Sequence, residues 1–261
     1  ELVYLKQLLD QFEEISKWAV VDYLSEKMLT VTENRTILRA RANALERLGK
    51  TKEAIPVLEK LARIDRKNPD IALKYADAII NDDLDQAVQF YKQAAEAYAK
   101  NMQFEKLRSV WNKLVDLIPD DFQYFRKIER ILSGHRQREI LAELYVQLAH
   151  HYIKKEDTDR IIWLCKKILH YNPNYTRFKN ELLKAYRQKY KDHSLLEDFI
   201  KYSGLLDTRR NLTSSLQNFE TNIVFDKGNY VFHRSWGVGK IKDLNTEEMV
   251  IAFKDRPEHR M

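Results

Sequence analysis

Apolar residues recur every three or four positions through most of this chain, the spacing that lays one stripe along a helix. Leu38, Ala42 and Leu45 make one such stripe, Ala54, Leu58 and Leu61 make another, and Gly49 punctuates the turn between them. Reading the whole chain this way predicts helices near 2–16, 18–30, 36–48, 52–66, 70–81, 84–99, 103–117, 121–132, 136–154, 158–171 and 174–190. Shorter helices are expected near 193–203 and 207–220. Asp82-Asp83 and Asp120-Asp121 sit where capping carboxylates belong, so their charge needs no catalytic explanation. Pro56 removes a hydrogen bond in the second turn of its helix and predicts a kink there.

The stripes repeat. Tyr145, Leu148, Ala149 and Tyr152 share one helical face, Ile161, Cys165 and Ile168 answer from the next helix, and Asn172-Pro173 ends the pair. Tyr91, Ala94, Ala95 and Tyr98 followed by Leu107, Trp111, Leu114 and Pro119 repeat that spacing, and the Leu38–Leu61 segment repeats it with Pro69 slightly late. This spacing resembles the two-helix tetratricopeptide pattern, with Cys165 where the motif usually holds an aromatic. A second register, with Asp70–Ile80 leading into Asp83–Ala97 through Ala76, Ala87 and Tyr91, competes for the helix that carries Tyr91.

After Asn222 the period changes from helical to alternating. Met249, Ile251 and Phe253 alternate with Val250 and Ala252, and strands are expected at Tyr230–His233, Val238–Leu244 and Met249–Phe253, with Asn245–Glu248 as a hairpin turn. Three of the six glycines fall in these last 39 residues. Three strands are few for a closed core, so this unit reads as incomplete. The expected fold is therefore mainly α: a tetratricopeptide-like helical-repeat solenoid at 1–222, followed by a small, truncated Tudor/SH3-like β unit at 223–261.

Composition narrows the function. A chain that is 32% charged, with a mean hydropathy of −0.57, has no apolar run that would span a bilayer, so no membrane partner is expected. One cysteine excludes an internal disulfide framework and fits a cytoplasmic setting. Beginning at Glu1 and ending in a strand-rich segment, the chain reads as an excised piece of a longer protein. Residues 160–191 hold nine Lys/Arg against one acid, Glu181, giving that block +8 and the remainder −2. Arg177, Lys184, Arg187 and Lys191 share one face of a predicted helix, either as a solvated face or as a contact for an acidic protein or nucleic acid. Aromatic residues are not interleaved on that face, which counts against single-strand binding by it.

No catalytic set emerges. Gly237-Val238-Gly239-Lys240 lacks the first glycine and the Ser/Thr of a phosphate loop and leads into a strand. Cys165 falls at an inward repeat position with no base indicated beside it. His150 and His151 are adjacent on a helix and point about 100° apart, so they do not converge on a metal. The expectation is a protein without catalytic residues, cofactor or metal.

The most specific signal is Gly228-x-x-Val231-x-His233-x-x-Trp236-Gly237-Val238-Gly239-x-Ile241. It resembles the opening of the CarD-type, Tudor-like domain that CarD regulators and the transcription-repair coupling factor use to bind bacterial RNA polymerase. Trp236 stands where that family usually has a polar residue. Val231, Val238 and Ile241 are expected to pack the small β core, and Trp236 is either a docking anchor or a lid over that core. Helical repeats ahead of this motif resemble the N-terminal extension of certain long bacterial Gre-type factors, which stimulate transcript cleavage by stalled polymerase. That resemblance implies docking on a β-type polymerase subunit, with Val231, His233, Trp236, Val238 and Ile241 as the contact set. The rival readings are a generic peptide-binding repeat adaptor and a nucleic-acid scaffold built on the 160–191 block.

Overall fold

The computed structural model describes residues 2–207 and 209–261. Among them are helices α1 (Leu2–Glu14), α2 (Trp18–Leu29), α3 (Arg35–Arg47), α4 (Thr51–Ile64), α5 (Pro69–Ile79), α6 (Leu84–Lys100), α7 (Phe104–Leu117), α8 (Phe122–Gly134), α9 (Arg138–Lys154), α10 (Thr158–Tyr171), α11 (Thr176–Lys189), α12 (Leu196–Tyr202) and α13 (Leu212–Asn222). Strands β1 (Tyr230–His233), β2 (Gly237–Leu244), β3 (Met249–Phe253) and β4 (Arg256–Arg260) follow. The protein is thus mainly α, built of tetratricopeptide-like repeats with a small antiparallel sheet at its C-terminal end. The chain divides into two compact units, Glu1–Gln147 and Leu148–Met261, with the division falling inside α9.

Local chemistry sets the helix ends. Asn34, Asp83, Asp121, Asp157 and Asn211 each accept a backbone N–H from the first turn of the helix that follows, at 2.9–3.1 Å. Asn211 starts α13 later than the spacing predicts, and α12 is shorter than the predicted 193–203. α4 runs through Pro56 unbroken.

A second device recurs at the tight turns. Ser16, Gly49, Met102, Arg136 and Glu156 take left-handed φ values of 55–71°. The next residue in each case (Lys17, Lys50, Gln103, Gln137, Asp157) donates its N–H to the carbonyl of a residue five earlier, at 2.9–3.2 Å. This is the Schellman closure, and the accepting residues Phe12, Leu45, Tyr98, Leu132 and Tyr152 all belong to apolar stripes. The α6–α7 joint has this turn, like the α3–α4 and α9–α10 joints, whereas the α5–α6 joint at 80–83 does not. The turn also closes the α1–α2 and α8–α9 joints, so it marks tight helix–helix turns without assigning the helix that carries Tyr91 to one repeat register, and α6 packs against both α5 and α7.

The core of the first unit is made by the repeat positions. Tyr91, Ala94, Ala95, Tyr98, Leu107, Trp111 and Leu114 are all buried. Trp111 lies 4.7 Å from Phe125 and 6.4 Å from Tyr145, and its indole N–H donates to the Leu144 carbonyl at 2.8 Å. Two matching polar clamps tie α5, α6 and α7. Tyr98 Oη donates to Asp70 at 2.7 Å, and Lys106 reaches the same carboxylate at 2.6 Å. Two helical turns along, Tyr91 Oη donates to Asp77, which also receives Lys113. In both clamps a buried phenol finds the partner it needs.

In the second unit Leu148, Ala149, Tyr152, Ile161, Cys165 and Ile168 are buried together with Phe178, Tyr186 and Phe219. His193 links the helices to the segment before the sheet. Its Nδ1 accepts from Leu195 N–H at 3.1 Å, so Nε2 carries the proton and donates to the Phe225 carbonyl at 2.8 Å.

The sheet has the order β1-β2-β3-β4, antiparallel throughout. It holds one strand more than the sequence predicts. β4 was unreadable because Arg256-Pro257-Glu258-His259-Arg260 has no apolar alternation. A charged strand carrying proline is tolerated at a sheet edge, and that is where it lies.

Candidate functional site

The two faces of the C-terminal sheet differ sharply. On the inner face Ile241, Ile251 and Phe253 are buried, with Phe225, Val231, Trp236, Leu244 and Met249 packed against them. β2 crosses this core so closely that a side chain at Gly239 would place its Cβ 2.5 Å from Ile251 and 2.6 Å from the Phe253 ring. Gly237 turns the chain with φ +72°.

Trp236 is half-buried over this core, 5.6 Å from Phe253. His233 stacks on it at 4.0 Å with the rings 16° apart, His259 approaches to 4.0 Å, and the Arg256 guanidinium lies 5.2 Å from the indole. Both His233 and Trp236 therefore serve the inner face. Val231 and Ile241 lie there too, as the alternation predicts. Val238 does not. Its cross-strand partner is Phe232, and both project outward, so the expected core role of Val238 is corrected by the register.

The outer face is apolar where it meets β1. Tyr230 is 70% exposed, Phe232 76% and Val238 62%. Sequence reasoning did not single out Tyr230 or Phe232, because an aromatic residue in an alternating strand reads first as core. The face also carries Lys240, opposite Tyr230 and 5.8 Å from its ring.

The two sheet edges differ as well. β4 is guarded by charge and by Pro257. β1, Tyr-Val-Phe-His, has neither guard, and among the described residues β2 is its one strand partner. Ile241 N–H donates to the Asn229 carbonyl at 2.9 Å, so antiparallel alternation makes Val231–Gly239 the next bonded pair. The N–H and C=O groups of Tyr230 and Phe232 consequently point away from the sheet, along an open edge.

The basic block is more committed than its sequence implies. Arg187 makes a bidentate pair with Glu197 at 2.6 and 2.9 Å, which raises the guanidinium pKa further and holds the Glu197 carboxyl below its ordinary range. Lys189 binds Asp159 at 2.6 Å, Lys166 binds Glu220 at 2.6 Å, and Arg160 lies 3.5 Å from Asp157. Arg177 lies 5.9 Å from the Phe178 ring centroid. Arg177 and Lys184 are exposed on α11, while Lys191 is exposed beyond its end.

Cys165 is buried, and desolvation followed by the Glu181 charge pushes its thiol up to about 12. Desolvation, then the Arg177 and Lys154 charges, pushes the His150 imidazole down. Among the described residues no three His, Cys, Asp or Glu side chains gather as a metal site, and no helix is long and apolar enough to cross a membrane.

Residues 35–78, covering α3, α4 and most of α5, match the tetratricopeptide repeat family. The solved structures similar to this chain include a MamA protein, at 19% identity and TM-score 0.37, covering 73% of this chain and 94% of that one. They also include an assembly chaperone of RpL4, at 11% identity and TM-score 0.44, covering 83% and 93%. Scores this low carry no argument about function. Among curated proteins, the chain is 32% identical to a GreA-associated domains protein of Treponema pallidum, over 98% of this chain and 39% of that relative. It is 26% identical to a transcription elongation factor GreA of Borreliella burgdorferi, over 98% of this chain and 28% of that relative. The chain therefore spans well under half the length of either relative, while nearly all of it aligns with both.

Proposed function

We infer that this chain is the non-catalytic docking module of a bacterial Gre-type transcription elongation factor, a cytoplasmic protein that engages RNA polymerase and supports rescue of stalled elongation. In this reading residues 1–222 are the helical-repeat domain and 223–261 a CarD-like polymerase-docking domain. The observation that carries it is the alignment of 98% of the chain with a protein named GreA and another named for GreA-associated domains. The unguarded β1 edge supports it, because strand addition to an open edge supplies main-chain hydrogen bonds to a partner. Tetratricopeptide-type repeats are interaction scaffolds, so binding rather than chemistry is the expected contribution of this segment.

In this account the docking strand is β1, with Val231, His233, Trp236 and Ile241 holding it in shape from the inner face. Amide hydrogen exchange with and without purified bacterial core RNA polymerase tests it. The amides of Tyr230 and Phe232 should exchange more slowly in the complex, since they alone on β1 point outward. Protection confined to α3–α5 would instead favour a repeat-groove adaptor. No protection anywhere would overturn the polymerase reading.

A further inference from the structure

Tyr230 and Phe232 occupy alternate positions of one strand, so their rings stand on the same face roughly 7 Å apart. Both are far more exposed than rings of that size usually are. Lys240 lies across the ladder, 5.8 Å from the Tyr230 ring, and two more exposed cations follow the strands, Arg234 two residues past Phe232 and Lys254 directly after Phe253. Among the described residues none of these three is paired with a carboxylate, whereas Asp243 on β2 is engaged by Lys227 at 3.6 Å. Two open aromatic rings bordered by unpaired cations are complementary to a polyanion with flat, apolar bases.

We propose that the outer face of the C-terminal sheet binds single-stranded nucleic acid, with Tyr230 and Phe232 as stacking platforms and Lys240, Arg234 and Lys254 facing the phosphates. Two residues of strand rise separate the rings, about twice the spacing of stacked bases, so the bound strand must be splayed open. A duplex, whose bases are already stacked, does not fit. The same chemistry is absent from α11, whose aromatics Phe178 and Tyr186 are buried and whose Arg187 and Lys189 are held by carboxylates. The proposal does not rest on the polymerase reading, because it uses side chains of the sheet face and not the backbone of its edge.

Fluorescence anisotropy of the whole chain with labelled oligouridine RNA, oligothymidine DNA and a duplex of equal length tests this. Single strands should bind at low salt, and the duplex at least tenfold more weakly. Any difference between the RNA and DNA arms reports whether the sugar is also read. Tyr230→Ala and Phe232→Ala should each weaken single-strand binding by roughly 5- to 150-fold, the usual range for losing one base–aromatic stack. Their melting temperatures should stay at the wild-type value, since both side chains are exposed. Lys240→Glu should weaken binding and flatten its dependence on salt. Equal affinity for duplex, no binding of either strand at tens of micromolar, or wild-type affinity in both aromatic variants would each overturn the proposal. Loss of binding only on Arg177→Glu and Lys184→Glu would overturn it too, by moving the site to α11.

Discussion

Trp111→Ala is the sharpest test of the repeat packing. The side chain is 1% exposed, its ring meets Phe125 and Tyr145, and its N–H saturates the Leu144 carbonyl. Truncating a buried tryptophan costs about 3–5 kcal/mol through lost burial and the cavity left behind. The Leu144 carbonyl keeps its helical N–H partner inside α9, so the lost indole hydrogen bond adds about 0.5–1.5 kcal/mol, which pushes this site toward the upper end of that range. A loss near 5 kcal/mol is a large share of the 5–15 kcal/mol that typically holds a domain together. Trp111→Phe keeps most of the ring but not the donor, so it should cost about 1–3 kcal/mol and fall between wild type and alanine. Equilibrium urea denaturation followed by far-UV circular dichroism resolves all three proteins. A Trp111→Ala midpoint equal to wild type, or a phenylalanine variant weaker than the alanine one, would refute the packing described here.

Three further outcomes follow from the geometry. Desolvation alone would raise the Asp70 carboxyl, but hydrogen bonds from Lys106 and Tyr98 and the charges of Lys106 and Lys74 outweigh it and hold the pKa below its ordinary value. A carboxyl depressed on folding adds stability above its unfolded pKa and loses it as pH falls through the folded one, so the melting temperature should drop below about pH 4, and less steeply in Asp70→Asn. Cys165 should resist a maleimide in the native protein and react only as denaturant opens the second unit; rapid native labelling would place it outside the core. Gly239→Ala drives a methyl into Ile251 and Phe253 and should cost about 1–3 kcal/mol, read as loss of amide-exchange protection at Ile241 and Ile251 at lower denaturant than wild type.

The helices were legible because their stripes and caps agree. Asp83, Asp121 and Asp157 mark starts that the apolar period already implies, and the observed ends differ from the expected ones by a few residues. α13 starts later than expected because Asn211 caps it, a local signal that the apolar period does not carry. The sheet was harder, for reasons that belong to sheets. Alternation identifies the inward residues of one strand, but the face of Val238 depends on its pairing with Phe232, which the turn at Gly237 sets. β4 carries no periodic signal because nothing on it is buried deeply enough to require one. The ion pairs of the basic block are illegible for a related cause: Glu197, Glu220, Asp157 and Asp159, which pair with four of its cations, lie outside the block in sequence. The exposed aromatic pair was hidden in plain view, since only the register shows Tyr230 and Phe232 facing solvent.

The central claim, that an open β1 edge docks this chain on RNA polymerase, is tested most directly by comparing two substitutions at one position. Phe232→Ala removes the ring and keeps the outward N–H, whereas Phe232→Pro removes both and leaves the Val231–Gly239 bonds to β2 in place. Affinity for purified bacterial core RNA polymerase should stay within a few-fold of wild type for Phe232→Ala and be lost for Phe232→Pro, with both proteins folded by circular dichroism. Equal binding by all three proteins, or no binding by any of them, would contradict the account.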